Sequence, residues 1–140
     1  MAPLAGAMAL RRKVQVFVYR SKPTLQVLLL KRAKTEKGLW HPVTGNVEPH
    51  EKVLAAAVRE VDEETGFEVA PEPLGVTFTY EAKGNRYHET AYAARVDPAH
   101  TETLSDEHTA AEWLAPDEAA KRLHWPDQKK ALDALVARYG

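Results

Sequence analysis

Gly45 to Phe67 reads GNVEPHEKVLAAAVREVDEETGF, and its middle carries a helical repeat. Leu54, Ala57, Val58 and Val61 recur at i, i+3, i+4 and i+7, the spacing that lays apolar side chains along one stripe of an α-helix. The spacing predicts a helix over 51–65 that buries this stripe, with Gly66 closing it as a C-terminal cap. On the remaining face, Glu60, Glu63 and Glu64 are neighbours, because residues three and four apart sit side by side on a helix. Like charges so placed destabilise a helix by about 0.2–0.5 kcal/mol per pair, so something must compensate. A hard divalent cation wants oxygen ligands, and magnesium takes one or two carboxylates together with waters and substrate phosphates. Ala56, one turn earlier on the same side, is expected to leave room for a ligand, and Arg59 stands eight residues after Glu51, placed to tie the helix start to its middle. For an acidic cluster taken alone, a solvated face with incidental Arg59 to Glu63 pairing is the commoner reading.

Upstream, Lys13 to Tyr19 (KVQVFVY) alternates valines with other β-formers and reads as a strand. Ser21, Lys22 and Pro23 break it, and the apolar run Leu25 to Lys31 reads as a second strand that pairs with the first and is covered on both faces. Trp40 to Thr44 is short and extended around Pro42. Downstream, Val76 to Tyr80 and Arg86 to Val96 are expected to form a hairpin over Lys83, Gly84 and Asn85. Glu112 to Leu114 reads as a short strand, Pro116 to Leu123 as a short helix, and Pro126 to Tyr139 as a terminal helix burying Leu132, Leu135, Val136 and Tyr139. Strands flanked by helices on this scale predict an α/β fold with a mixed sheet between helices.

At 140 residues the chain has room for one domain, expected over 13–140 after a loose leader over 1–12. Nineteen basic against twenty acidic residues give a net charge of -1, which argues against a protein that grips nucleic acid all over its surface. The absence of cysteine excludes disulfides, thiolate metal sites and cysteine nucleophiles, and fits a cytoplasmic protein. No apolar run is long enough to span a membrane, and oligomeric state is left open.

Read with its spacing, the stretch has Gly45, five residues, Glu51, seven residues, and then Arg59-Glu60-Val61-Asp62-Glu63-Glu64-Thr65-Gly66-Phe67. It resembles the Nudix box at every specified position. The flanks Leu28 to Arg32, Trp40 to Val47, Asp106 to His108 and Trp113-Leu114 look like those of members that hydrolyse dATP or dihydroneopterin triphosphate, and bis(nucleosyl) tetraphosphatases share a similar tail. The resemblance implies an α/β/α sandwich with a central mixed β-sheet and a Mg2+-dependent enzyme, Mn2+ being an alternative ion. Such an enzyme cuts a small nucleotide-like substrate at its diphosphate linkage, releasing a monophosphate and pyrophosphate. A diadenosine tetraphosphate hydrolase and a nucleotide-sensing domain without turnover are the alternatives.

By the same resemblance, Glu60, Glu63 and Glu64 bind metal and act in catalysis together with the backbone carbonyl of Gly45. Glu107 is a further ligand or general base, and Glu51 and Arg59 orient the box. Arg32 is the expected phosphate donor, with Lys31 and Lys37 behind it. Trp40, Tyr80 and Tyr87 are candidate platforms for a base or pterin. His41, His88 and His108 lack metal-ligand spacing and are expected to be structural or peripheral.

Overall fold

A computed structural model describes residues 9–32 and 38–140, so most of the expected leader and Lys37 lie outside the described residues. The elements run β1 (Leu10–Arg20), β2 (Gln26–Arg32), β3 (Trp40–His41), β4 (Val43–Asn46), α1 (Val53–Thr65), β5 (Glu72–Ala82), β6 (Asn85–Arg95), β7 (His108–Leu114), α2 (Pro116–Arg122) and α3 (Pro126–Tyr139). β1 begins three residues before the expected Lys13, because Leu10, Arg11 and Arg12 already pair in parallel with Arg86, Tyr87 and His88. Among the described residues, no helix is long and apolar enough to cross a membrane.

Seven strands form one mixed sheet in the order β3-β2-β1-β6-β5, with β4 also on β1 and β7 also on β2. The β1 and β6 pair is parallel and the others are antiparallel. β1 and β2 do pair, but only Tyr19 and Arg20 meet Val27 and Gln26. Along Lys13 to Val16 the neighbour of β1 is β4, whereas β2 continues beside β3 and β7. The sheet therefore splays between β2 and β4, and the cleft described below opens at that divergence. The β5 and β6 hairpin turns through Lys83 and Gly84, both at positive φ, as a two-residue primed turn requires. β5 extends beyond the expected 76–80 because its register shifts between Pro73 and Thr77, letting Glu72 and Pro73 rejoin the ladder.

Strand alternation divides the core into two layers. Val14, Val16, Val18, Leu28 and Leu30 pack with α1 on one face. Phe17, Tyr19, Val27 and Leu29 pack with Ala119 of α2 and with Ala131, Leu132 and Leu135 of α3 on the other. The layers are helix, sheet, helix, as expected. Leu132 and Leu135 are fully buried, each contributing about 1.5–3 kcal/mol relative to an exposed side chain. Val136 is exposed instead of buried, its place in the stripe taken by Ala131, and Tyr139 is half-buried with its ring stacked on Tyr19.

The box helix departs from its expected stripe. Ala57 and Val61 are buried, but Leu54 is 48% exposed and Val58 37% exposed. The buried face is Ala56, Ala57, Val61, Glu64 and Thr65, so Ala56 packs in the core and does not face a ligand space. The physical reason lies in Glu64. Bringing its carboxylate inward toward β4 rotates the helix, which turns Leu54 and Val58 outward, while the two alanines let the helix axis approach the sheet closely.

Candidate active site

The loop between β4 and α1 is held by arginines. Val47 N–H donates to the Arg12 carbonyl, and the Arg12 guanidinium reaches the carbonyls of Glu48 and Glu51 at 3.1 and 3.2 Å. Lys52, at the N-cap, makes no side-chain cap, and the loop is closed instead by the Glu48 N–H donating to Glu51 Oε1. Arg59 then grips Glu51 with a two-pronged contact, Nε to Oε2 at 2.8 Å and Nη2 to Oε1 at 2.9 Å. Its Nη2 also donates to the Asn46 carbonyl, and its Nη1 to Glu60 and Glu63. The fork holds the Glu51 carboxyl at about 2, well below the ordinary range, chiefly by hydrogen bonding, and Glu51 in turn raises the pKa of Arg59.

A cleft of about 610 Å³ lies above this loop, lined by Gly45, Glu60, Glu63, Glu64 and Glu107 together with Lys13 and Arg32. The box carboxylates thus share a space with a loop carboxylate sixty residues of chain away from Gly45. Glu107 itself is exposed at the rim. Burial, the strongest influence, pushes the pKa of both Glu60 and Glu64 upward, and the Glu107 charge adds to this at Glu64. Among the described residues, no three acidic or imidazole groups already stand around one point as metal ligands do; Glu63 is turned to Arg59, with its side chain 55% exposed. Three observations nevertheless fit a hard divalent cation. Buried carboxylates crowd one another without a neutralising lysine between them, Glu64 Oε2 is buried without a partner, and a methyl group at Gly45 would overlap the Glu60 carboxyl. Only glycine leaves that approach open, which brings the backbone of β4 against the carboxylates.

A pair of histidines, His41 and His108, also stands by Glu64, with His108 in contact with it. His41 Nδ1 lies 2.6 Å from the Pro42 carbonyl, which can only accept, so Nδ1 carries the proton and Nε2 is an acceptor. His108 Nε2 stands 3.2 Å from that acceptor and 3.5 Å from Glu64 Oε1, so it carries the proton and donates it to His41, with the Glu64 carboxylate beside the same N–H. Burial is the leading cause lowering both imidazoles, His41 to about 4, and keeps them neutral. The expectation that these two are structural or peripheral therefore understates them: His108 lies beside a box carboxylate, and His41 stands behind it. His88 faces Thr79 at the surface hairpin.

A second cleft, of about 540 Å³, adjoins the first through Lys13, Arg32 and Thr44, and includes Trp40, Tyr80, Glu89, Trp125 and Gln128 in its wall. Of the expected substrate residues, Arg32 lines both clefts, and Trp40 and Tyr80 line the second. Tyr87 stacks behind Tyr80 at 5.3 Å, and Lys31 lines neither cleft, its stem lying beside Gly38. Sequence reading missed Lys13, Gln15, Glu89, Trp125 and Gln128. The available signal was Gln15 itself, a polar residue amid the valines of a strand covered on both faces, and Glu89, a carboxylate entering a run of alanines.

Comparison with known proteins agrees with this geometry. Residues 9–135 match the family model described as the NUDIX domain. An octanoyltransferase of Myxococcus xanthus is 33% identical over 132 residues, 90% of this chain but only 37% of that longer protein. The CTP pyrophosphohydrolase of Escherichia coli (strain K12) is 32% identical over 114 residues, 80% of this chain and 83% of its own. The crystal structure of a C. elegans Ap4A hydrolase binary complex superposes with a TM-score of 0.81 at 25% identity, covering 91% of this chain and 96% of that one.

Proposed function

This chain belongs to the NUDIX family, and from that premise we propose that it hydrolyses the diphosphate linkage of a nucleoside triphosphate or close analogue, such as dATP or dihydroneopterin triphosphate, to a monophosphate and pyrophosphate. The observation that carries the reading is the gathering of Glu60, Glu63, Glu64 and Glu107 in one cleft with Arg32 and Lys13, next to an aromatic cleft of nucleoside size. Similarity to the E. coli CTP pyrophosphohydrolase supports a triphosphate substrate, and the superposition on the worm Ap4A hydrolase supports diadenosine tetraphosphate as second choice.

Glu60, Glu63, Glu64 and the Gly45 carbonyl would hold Mg2+, or Mn2+ in its place, with Glu107 as a further ligand. When bound, the ion neutralises charge on the phosphate oxygens and lowers the pKa of an attacking water. Lys13 and Arg32 face the same cleft as the carboxylates and would supply donors to phosphate oxygens. In the reaction a water oxygen attacks phosphorus, the bridging oxygen bond breaks, and pyrophosphate leaves with the electron pair. The water's proton passes to a carboxylate of the cleft, with Glu107 the best candidate because it is exposed and not engaged by Arg59. Arg59 and Glu51 keep loop and helix in register, and His108 fixes the orientation of Glu64.

A panel of nucleoside triphosphates and dinucleoside polyphosphates incubated with magnesium, with products separated by chromatography, tests the reading. Monophosphate and pyrophosphate in equal amounts are the expected products; release of orthophosphate alone from triphosphates would refute it.

A further inference from the structure

We propose that the second cleft reads a 2-amino-4-oxopyrimidine ring, the edge common to guanine and pterin, with the Glu89 carboxylate as the recognising group. Glu89 is buried on β6, one of its oxygens accepting from Gln15 Nε2 at 2.6 Å and the other from the Tyr80 hydroxyl at 2.8 Å. An ionised carboxylate has about four lone-pair sites and no donor, so roughly half its accepting capacity is left over in a residue that lines the cleft. A separate observation in the same wall points to a ligand. Gln128, only 7% exposed at the start of α3, has a carboxamide oxygen with no partner. Unpaired polar groups at such depth cost free energy unless something fills the site.

The chemistry of the edge decides between rings. A planar acceptor that cannot donate is best met by two adjacent N–H groups. Guanine offers N1–H beside its 2-amino group, and pterin offers N3–H beside the same group. Adenine and cytosine present one amino group next to a bare ring nitrogen, and uracil presents a single N–H between two carbonyls. Each of these would set a lone pair against Glu89, and a buried polar group facing the wrong partner is the strongest means of rejection a pocket has. The orphan Gln128 oxygen, an acceptor, is suited to the second hydrogen of the same 2-amino group. Trp125, 54% exposed beside the cleft, and Trp40, which carries the Arg122 guanidinium 4.9 Å from its ring centroid, supply flat surface for the ring.

The inference deepens the proposed hydrolase reading, narrowing its substrates to a guanine nucleotide or dihydroneopterin triphosphate and away from dATP, and binding without turnover keeps the two separable. Calorimetric titration of the full chain with GMP, neopterin, AMP and CMP in EDTA requires neither divalent ion nor phosphoanhydride. GMP or neopterin is expected to bind at least tenfold more tightly than AMP and CMP, and the tighter of the two identifies the source of the ring. Glu89→Gln, of the same shape but carrying a donor, is expected to erase that preference. Gln128→Leu is a second variant, expected to weaken the preferred ligand severalfold and leave AMP unchanged. Equal affinities, absence of binding by all four, or a preference that survives both substitutions would overturn the proposal. Selective GMP binding without cleavage of GTP in magnesium would defeat the hydrolase reading and leave this one standing.

Discussion

The two clefts share Lys13, Arg32 and Thr44, yet they are built from opposite materials. The first gathers carboxylates from one helix and one loop around a glycine, and Glu60 and Glu64 stand at raised pKa chiefly because they are buried, with the charges of neighbouring carboxylates adding to this. The second spreads aromatic surface over strands and a helix start, and its one buried carboxylate is satisfied by Gln15 and Tyr80. Crowding at Glu64 and satisfaction at Glu89 teach different things about two acids of similar burial. On the proposed reading, the acid crowded by other carboxylates would take a cation, whereas the one held by neutral donors would accept from a ligand.

The sharpest way to break this contrast is at the crowded pair. Glu64→Gln, with Glu63→Gln beside it, is expected to lower kcat at least a hundredfold, about 2.7 kcal/mol of barrier, with the fold retained. In EDTA the Glu64 variant should melt at or above the wild-type temperature, since burial forces Glu64 toward its neutral form on folding and glutamine is already neutral. Near-normal turnover in both variants would show that the first cleft is not the seat of the chemistry.

A smaller effect is expected at Glu107. Loss of a group acting mainly in the transition state lowers kcat and spares KM, so Glu107→Gln should reduce kcat about tenfold, roughly 1.4 kcal/mol. Glu112 is a poor control for it, because its carboxylate pairs with Arg122, the cation stacked on Trp40. Glu118, exposed on α2 and paired with Lys121, loses the same charge while lining neither cleft. Equal losses in Glu107→Gln and Glu118→Gln would reduce the first to a general electrostatic effect.

The smallest effect belongs to the scaffold beneath the first cleft. The folded Glu51 carboxyl sits at about 2 against an ordinary 4.5, held down by the Arg59 fork, so its contribution is present above the ordinary value and is lost as pH falls toward 2. Melting temperatures of wild type and Glu51→Gln, followed from pH 7 to pH 2, should differ by a few degrees at neutral pH and converge at the acid end. A gap that stays constant across the range would mean that the Arg59 pairing contributes nothing to stability.

Much of this site is legible in the chain because it is local. Gly45, Glu51, Arg59 and the three box glutamates lie within 23 residues, and helix geometry alone brings the glutamates together. The Glu51 to Arg59 contact is likewise local, although Glu51 stands in the loop ahead of α1 and not on the helix. The helix rotation was not legible, because Leu54 and Val58 make as good a stripe as Ala56 and Ala57 until the sheet requires Glu64 inside. Nor were the histidines, since β3 and β7 both pair with β2 and thereby bring His41 and His108 together across 67 residues.

By itself the sequence determined the α/β class, the order of most elements, the family and the acidic constellation, because periodicity and a fixed local spacing survive without knowledge of distant partners. The tertiary structure alone decided where the sheet splays, which helix face is buried, and that Tyr80, Glu89 and Gln128 share one cavity with Gln15 holding Glu89 from behind. Gln15 and Glu89 are 74 residues apart and meet because β1 and β6 run parallel side by side, a long-range register that no local pattern encodes.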